Sequence, residues 1–293
     1  MTIFIRTLIS GLNLGSIYAL IALGYSMVYG IAKMLNFAHG DVIMVGAYAG
    51  IVAVLNLGLP PVLAILFGVV ICSILGMVIE RLAYKPLREA PSLSVLITAI
   101  GVSYLLQNLA LIIFGSEQKA YPVFGTNLKG FTIAGVKVDG ITILTLVVTA
   151  IIMIGLTFFI NKTKIGKAMR AVSEDKGAAQ LMGINTDRTI TITFAIGSAL
   201  AAIASAFYGA NYVFILPTTG SMPGIKAFTA AVLGGIGSIP GAMLGGIVLG
   251  IIEQFAKQYI STVWSNAIVF GVLIIVLLVK PTGLLGKKVT EKV

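Results

Sequence analysis

The chain has 293 residues, 58% of them hydrophobic and only 10% charged. A soluble domain carries about 25% charged residues, so a soluble fold is excluded and a polytopic helical membrane protein is predicted. The formal net charge is +10, which in such a chain reflects lysines and arginines holding loops on the cytoplasmic side rather than nucleic-acid binding.

A helix crosses a bilayer core with about 20 apolar residues, and this chain has room for about eight such helices. The apolar runs are too long and too unalternating for barrel strands. The predicted fold is an all-α bundle of about eight transmembrane segments, one or two of them broken or re-entrant, in a single domain over residues 1–293. Apolar runs fall at 8–31, 42–57, 61–79, 93–114, 141–160, 190–216, 228–252 and 267–279. The first continues to Ile31 with no cleavage site and reads as a retained helix. The second is short for a full crossing. The seventh is interrupted by Gly237-Ser238-Ile239-Pro240-Gly241, which no regular helix interior accommodates. Two half-helices are expected there, at a depth where broken backbone lines a cavity. The single cysteine, Cys72, excludes an intrachain disulfide.

Basic residues set the orientation. Arg81, Lys85 and Arg88 follow the third run, and Lys162, Lys164, Lys167, Arg170, Lys176 and Arg188 lie between the fifth and sixth. Both loops are expected in the cytoplasm, with residues 115–140 and the N-terminus outside. Eight full spans would then put the tail with Lys287 and Lys288 outside, against its charge. A double crossing or a re-entrant segment near 228–252 would remove the conflict.

Small-xxx-small spacings occur at Gly11/Gly15, Gly46/Gly50, Gly241/Gly245 and Gly246/Gly250, and read as helix packing. The stretch from Asn36 to Asp41 places the only histidine, His39, between two apolar runs. It reads equally as a polar turn, with Asn36 or Asp41 capping a helix, and as part of a pathway. Glu80-Arg81 reads as an ion pair at a helix end, and Glu253 as a boundary residue. No acid is expected mid-span. Metal ligands, a catalytic set and a G-x-x-x-x-G-K-[ST] loop are lacking, so no cofactor and no hydrolysis of ATP by this chain are expected.

Residues 161–188 hold nine of the chain's charged residues between apolar runs. Ile165, Met169 and Val172 share one helical face. The small Gly177-Ala178-Ala179 follows, and Gly183 ends the helix before Ile184. A short helix and a small-residue turn suit insertion into a partner's groove better than adsorption to lipid.

Three ordered stretches resemble one family. They are Gly15 to Leu20 continuing to Val28-Tyr29-Gly30 and Asn36-Phe37-Ala38-His39-Gly40; residues 166–185; and residues 226–241. The chain is similar to LivH-type permease subunits of branched-chain amino acid ABC importers. Residues 166–185 resemble the family's "EAA" loop, except that Gly177 stands where a glutamate is usual. The resemblance implies a multi-pass inner-membrane subunit that translocates leucine, isoleucine or valine. It implies a homologous second permease, two cytoplasmic ATPase subunits and an extracytoplasmic solute-binding protein as partners. On it, residues 161–188 are the coupling loop, with Gly166, Arg170, Ala178, Ala179 and Gly183 facing the ATPases. Asn36, His39, Gly237 and Pro240 are the candidate pathway or gate residues. The alternative is a stand-alone channel or secondary transporter for a small neutral solute such as urea or an amide.

Overall fold

The computed structural model describes residues 1–122, 130–133 and 135–286. Helix α1 (Thr2–Ala32) is followed by α2 (His39–Ile51), which a π-helical turn (Val52–Asn56) extends. Helix α3 (Pro61–Ile79) opens on a proline, whose missing N–H costs nothing in a first turn. It continues through a second π turn (Glu80–Tyr84) and a tight turn at Lys85–Leu87. Then come α4 (Ser92–Phe114), β1 (Lys119–Ala120), β2 (Phe131–Ile133), β3 (Val136–Val138) and α5 (Gly140–Lys162). Two short helices, α6 (Lys164–Glu174) and α7 (Lys176–Leu181), precede α8 (Thr186–Tyr212) and β4 (Phe214–Ile215). The described chain closes with α9 (Ser221–Gly234), α10 (Ile239–Tyr259) and α11 (Ser265–Val279). The strands β1 and β4 pair antiparallel, as do β2 and β3, and all four lie at one end of the bundle.

Among the described residues, seven helices are long and apolar enough to cross a membrane, and α11 is shorter. The bundle predicted from the apolar runs is the bundle observed. The central element is α1, packed against α8, α9 and α10. Glycines let its backbone approach α10: a Cβ on Gly15 would lie 2.7 Å from the Ile247 Cα, and one on Gly11 2.9 Å from the Ile251 Cα. Such close approach gains dispersion contacts where lipid offers no hydrophobic drive. Buried threonines return their hydroxyls to carbonyls four residues back, Thr145 to Ile141 at 2.8 Å and Thr193 to Thr189 at 2.8 Å. Each such bond keeps a hydroxyl hydrogen from facing hydrocarbon, whereas the buried Thr149 hydroxyl of α5 has no partner among the described residues.

The seventh apolar run divides as its glycines and proline suggest, but the division lies elsewhere in depth. Gly237 touches Gly30, near the end of α1 that carries α7, the inner end on the orientation expected from the basic loops, so the 235–238 stretch is a turn at that face. The break at membrane depth is upstream. Residues 216–220 descend from β4 without regular structure, and the 14-residue α9 completes the crossing. This extra descent resolves the parity of the spans. Leu284 and Leu285 donate backbone hydrogen bonds to Leu233 and Gly234, at 2.8 and 2.9 Å, and so hold the chain's end at the inner side. Lys287 and Lys288 lie outside the described residues, as does part of the outer loop.

Candidate functional site

The inner surface is built by three capped helix starts. Thr163 Oγ1 accepts from the Gly166 amide at 3.0 Å and starts α6. Asp175 Oδ1 accepts from the Ala178 amide at 2.9 Å and starts α7. Asn185 Oδ1 accepts from the Arg188 amide at 2.9 Å and starts α8. Each cap satisfies an amide that has no partner inside its helix. Gly183, at φ +82°, ends α7: its N–H bonds Gln180 at 2.9 Å, and the Ile184 N–H bonds Ala179 at 3.0 Å. This paired closure needs a left-handed residue, which glycine supplies without strain.

Met169 and Val172 are buried on one face of α6 as their spacing predicts, but Ile165 is exposed. Gly166 is buried, and a side chain there would strike the Phe159 carbonyl and Ile160 of α5. It seats α6 on α5. Ala179 is buried, while Arg170, Ala178 and Gly183 are exposed. Sequence reasoning missed the residues beside them: Leu181 is 92% exposed and Met182 81%, on a segment outside the spans. Their signal was a Leu-Met pair immediately before a helix-ending glycine in a charged loop.

The inner surface is tied to the bundle. Lys176 Nζ donates to the Ala32 carbonyl at 3.2 Å, where a cation suits the C-terminal end of α1. Burial, and then the like charges of Arg88 and Lys33, push the Lys176 ammonium below the usual lysine pKa. Arg88 bridges Glu80 of the second π turn and Asp187 of α8, Lys85 reaches Asp187 at 2.6 Å, and Thr191 donates to Glu80 at 2.7 Å. Glu80 therefore pairs with Arg88 rather than with Arg81, because the π turn aims it inward.

Of the expected pathway residues, Asn36 and His39 are interior and Gly237 and Pro240 are not. Asn36 accepts from the Tyr84 hydroxyl at 2.9 Å. His39 begins α2, is 1% exposed, hydrogen-bonds the Ile21 carbonyl of α1 and meets Tyr25 edge-to-face at 4.6 Å. Its Nε2 has no hydrogen-bond partner among the described residues, and a Cβ on Gly24 would lie 2.5 Å from it. Gly237 donates its N–H to Ser26 at 2.8 Å, and Pro240 stands exposed in the first turn of α10. Both belong to that turn, which Gly237 anchors to α1.

Two acids sit where none was expected. Glu253 is 1% exposed between helices: Lys226 of α9 reaches it at 2.7 Å, Lys257 at 2.6 Å and the Tyr18 hydroxyl at 2.9 Å. It is a buried junction of α1, α9 and α10, not a boundary residue. Asp41, in the first turn of α2, is also 1% exposed and accepts from Gln107 Nε2 at 2.9 Å. Nearby, a Cβ on Gly40 would lie 2.7 Å from the Gly220 carbonyl, so the starts of α2 and α9 meet at backbone contact. At the outer end a cavity of about 690 Å³ is lined by Arg6, Asn13, Lys137, Asp139, Tyr212 and Gln254.

Comparison with known proteins decides the family. A family model described as the branched-chain amino acid transport system permease component matches residues 7–278. The chain belongs to this permease family. It is 45% identical to the high-affinity branched-chain amino acid transport system permease protein BraD of Pseudomonas aeruginosa, over 99% of this chain and 98% of that one. It is 46% identical to the permease protein LivH of Escherichia coli strain K12, with the same coverage. The LivH of Salmonella typhimurium matches at 45%, again over 99% and 98% of the two chains. This permease component is thus a multi-pass membrane protein and part of a multi-subunit transport system.

Proposed function

We propose that this chain is one permease subunit of an ATP-binding-cassette importer of the inner membrane, carrying leucine, isoleucine and valine inward. It pairs with a second, homologous permease. Two ATPase subunits dock on α6 and α7, and a solute-binding protein delivers the amino acid at the outer end, where the cavity beside β3 opens. ATP binding and hydrolysis belong to the partners, since this sequence has no phosphate-cradling loop.

The observation that carries the reading is the α7 surface. A membrane bundle here presents two large apolar side chains, Leu181 and Met182, to the aqueous side on a short, doubly capped helix. An adjacent apolar pair exposed outside the spans suits insertion into a partner's groove. Ala178 and Gly183 beside them leave room for a partner's side chains, Arg170 offers a charge at the rim, and Gly166 and Ala179 hold the two helices in place. The link from Lys176 to α1 gives a docked ATPase a direct connection to the bundle's centre. Asn36 and His39 act as an inner tie between α1, α2 and α3 that shifts as the pathway opens.

The test is reconstitution. Liposomes holding the permease pair, the ATPases and the binding protein should accumulate leucine only when ATP is supplied. Uptake that proceeds equally without ATP, or without the ATPases, would replace this reading with the stand-alone channel or secondary transporter.

A further inference from the structure

The polar contacts of Gln107 are out of proportion to its chemistry. Its Nε2 lies 2.9 Å from Asp41 Oδ1, 3.2 Å from Ser103 Oγ and 3.2 Å from Ser221 Oγ. A side-chain amide nitrogen carries two hydrogens, and an ammonium carries three. Three oxygens converging on one nitrogen fit the ammonium better. The charges agree. Among the described residues no cation lies within ion-pair distance of Asp41, whereas the other two buried carboxylates, Glu80 and Glu253, each have one. Neutral donors, the Ser103 hydroxyl and the Gln107 amide, hydrogen-bond the Asp41 carboxylate, which in a membrane interior is still costly without a cation, and such residues line substrate paths.

The placement agrees as well. The three oxygens come from α2, α4 and the start of the half-helix α9, so the cage sits at the break in regular structure. Asp41 forms its buried floor, while Ser103, Gln107 and Ser221 are half-buried. Around the opening, Tyr104, Asn108 and Thr218 are exposed on helix and descent surfaces that should be apolar if they faced lipid. By helical rise, Gln107 lies about 10 Å inside the outer end of α4.

The geometry points to Asp41, Ser103 and Ser221 as a transient site for the α-ammonium group of the amino acid in transit, with the Gln107 amide as its occupant in the resting state. The inference rests on the importer reading and names the group of the substrate that this chain grips. Gln107 leaves as the ammonium arrives, so the carboxylate exchanges one nitrogen donor for another and is never exposed bare. Ser221 couples the exchange to α9, since the hydroxyl that moves with the ligand opens that half-helix.

The test uses the full complex with partner permease and ATPases in nanodiscs. In a Cys72→Ser background, Met222→Cys places a thiol beside the opening, and its alkylation by a maleimide is followed. Leucine and 4-methylpentanoate share skeleton and carboxylate and differ in the ammonium. Leucine should slow alkylation about tenfold, the scale of a charge-assisted contact, and 4-methylpentanoate should not. Asp41→Asn should erase that difference, and Asp41→Glu should keep part of it. Gln107→Ala should lower the leucine concentration required by several-fold. Equal protection by the two compounds, protection by neither, or discrimination that survives Asp41→Asn would overturn the cage. Failure of the importer reading registers separately, as absence of ATP-driven leucine uptake by the unmodified complex.

Discussion

Helices α1 and α4 are similarly apolar, yet most of α1 is buried and most of α4 is not. In water such a difference would show in composition, because the buried helix would be the more apolar one. In lipid it does not, since acyl chains are as apolar as leucine. What separates the centre from the rim is side-chain size and polar ties. On α1, Gly11, Gly15 and Gly24 admit neighbouring backbone or the His39 ring, and Tyr18 and Ser26 bond to α10 and to the turn before it. The rim helix turns Leu93, Ile97, Leu105 and Ile112 outward.

The contrast can be broken hardest at the α1–α10 seam. Gly15→Leu would drive a branched side chain into Ile247, an overpacking worth about 3 kcal/mol or more with no room for relaxation. It should abolish assembly with the partner subunits, measured by co-purification in detergent. Next in size is Glu253→Gln, which strands the buried Lys226 at a cost of about 3–5 kcal/mol. Thermal unfolding of the purified complex should show a clear drop, and Glu253→Asp should soften it. Leu181→Arg comes third. The side chain already stands in water, so folding should hold within about 0.5 kcal/mol while ATP-driven uptake falls at least about tenfold. Normal uptake in this variant would remove α7 from the docking surface. The smallest effect belongs to the rim: Ile112→Ala on α4 should change stability by less than about 0.5 kcal/mol. A large loss there would mean that α4 faces protein rather than lipid at that level.

The same contrast explains what the sequence could and could not disclose. Apolar runs marked the helices, and glycine spacings marked the seam, because both are local patterns. The loop at 161–188 was legible for the same reason: charge, a three-residue apolar face and a glycine stop lie within a few turns. Asp41 and Glu253 were not, because a charge at the edge of an apolar run looks alike whether it ends a helix at the surface or enters the bundle. Their partners, Gln107 and Lys226, lie 66 and 27 residues away in the chain. Gly237 and Pro240 were placed at depth for a related reason. A glycine–proline break inside a hydrophobic run fits a half-helix and a tight inner turn equally well, and only the contact with Gly30 separates them.

The bond from Lys176 to Ala32 attaches α6 and α7 to one end of a rod of 31 residues. At 1.5 Å per residue the rod is about 46 Å long. A rotation of about 5° around its middle would carry each tip by about 2 Å, in opposite directions. The inner tip holds the turn at Gly237 and the outer tip borders the cavity at Arg6. A seesaw of this kind needs no deformation of α3 or α4. Those helices act as its bearing, and their outward faces are free to suit whichever lipids surround them.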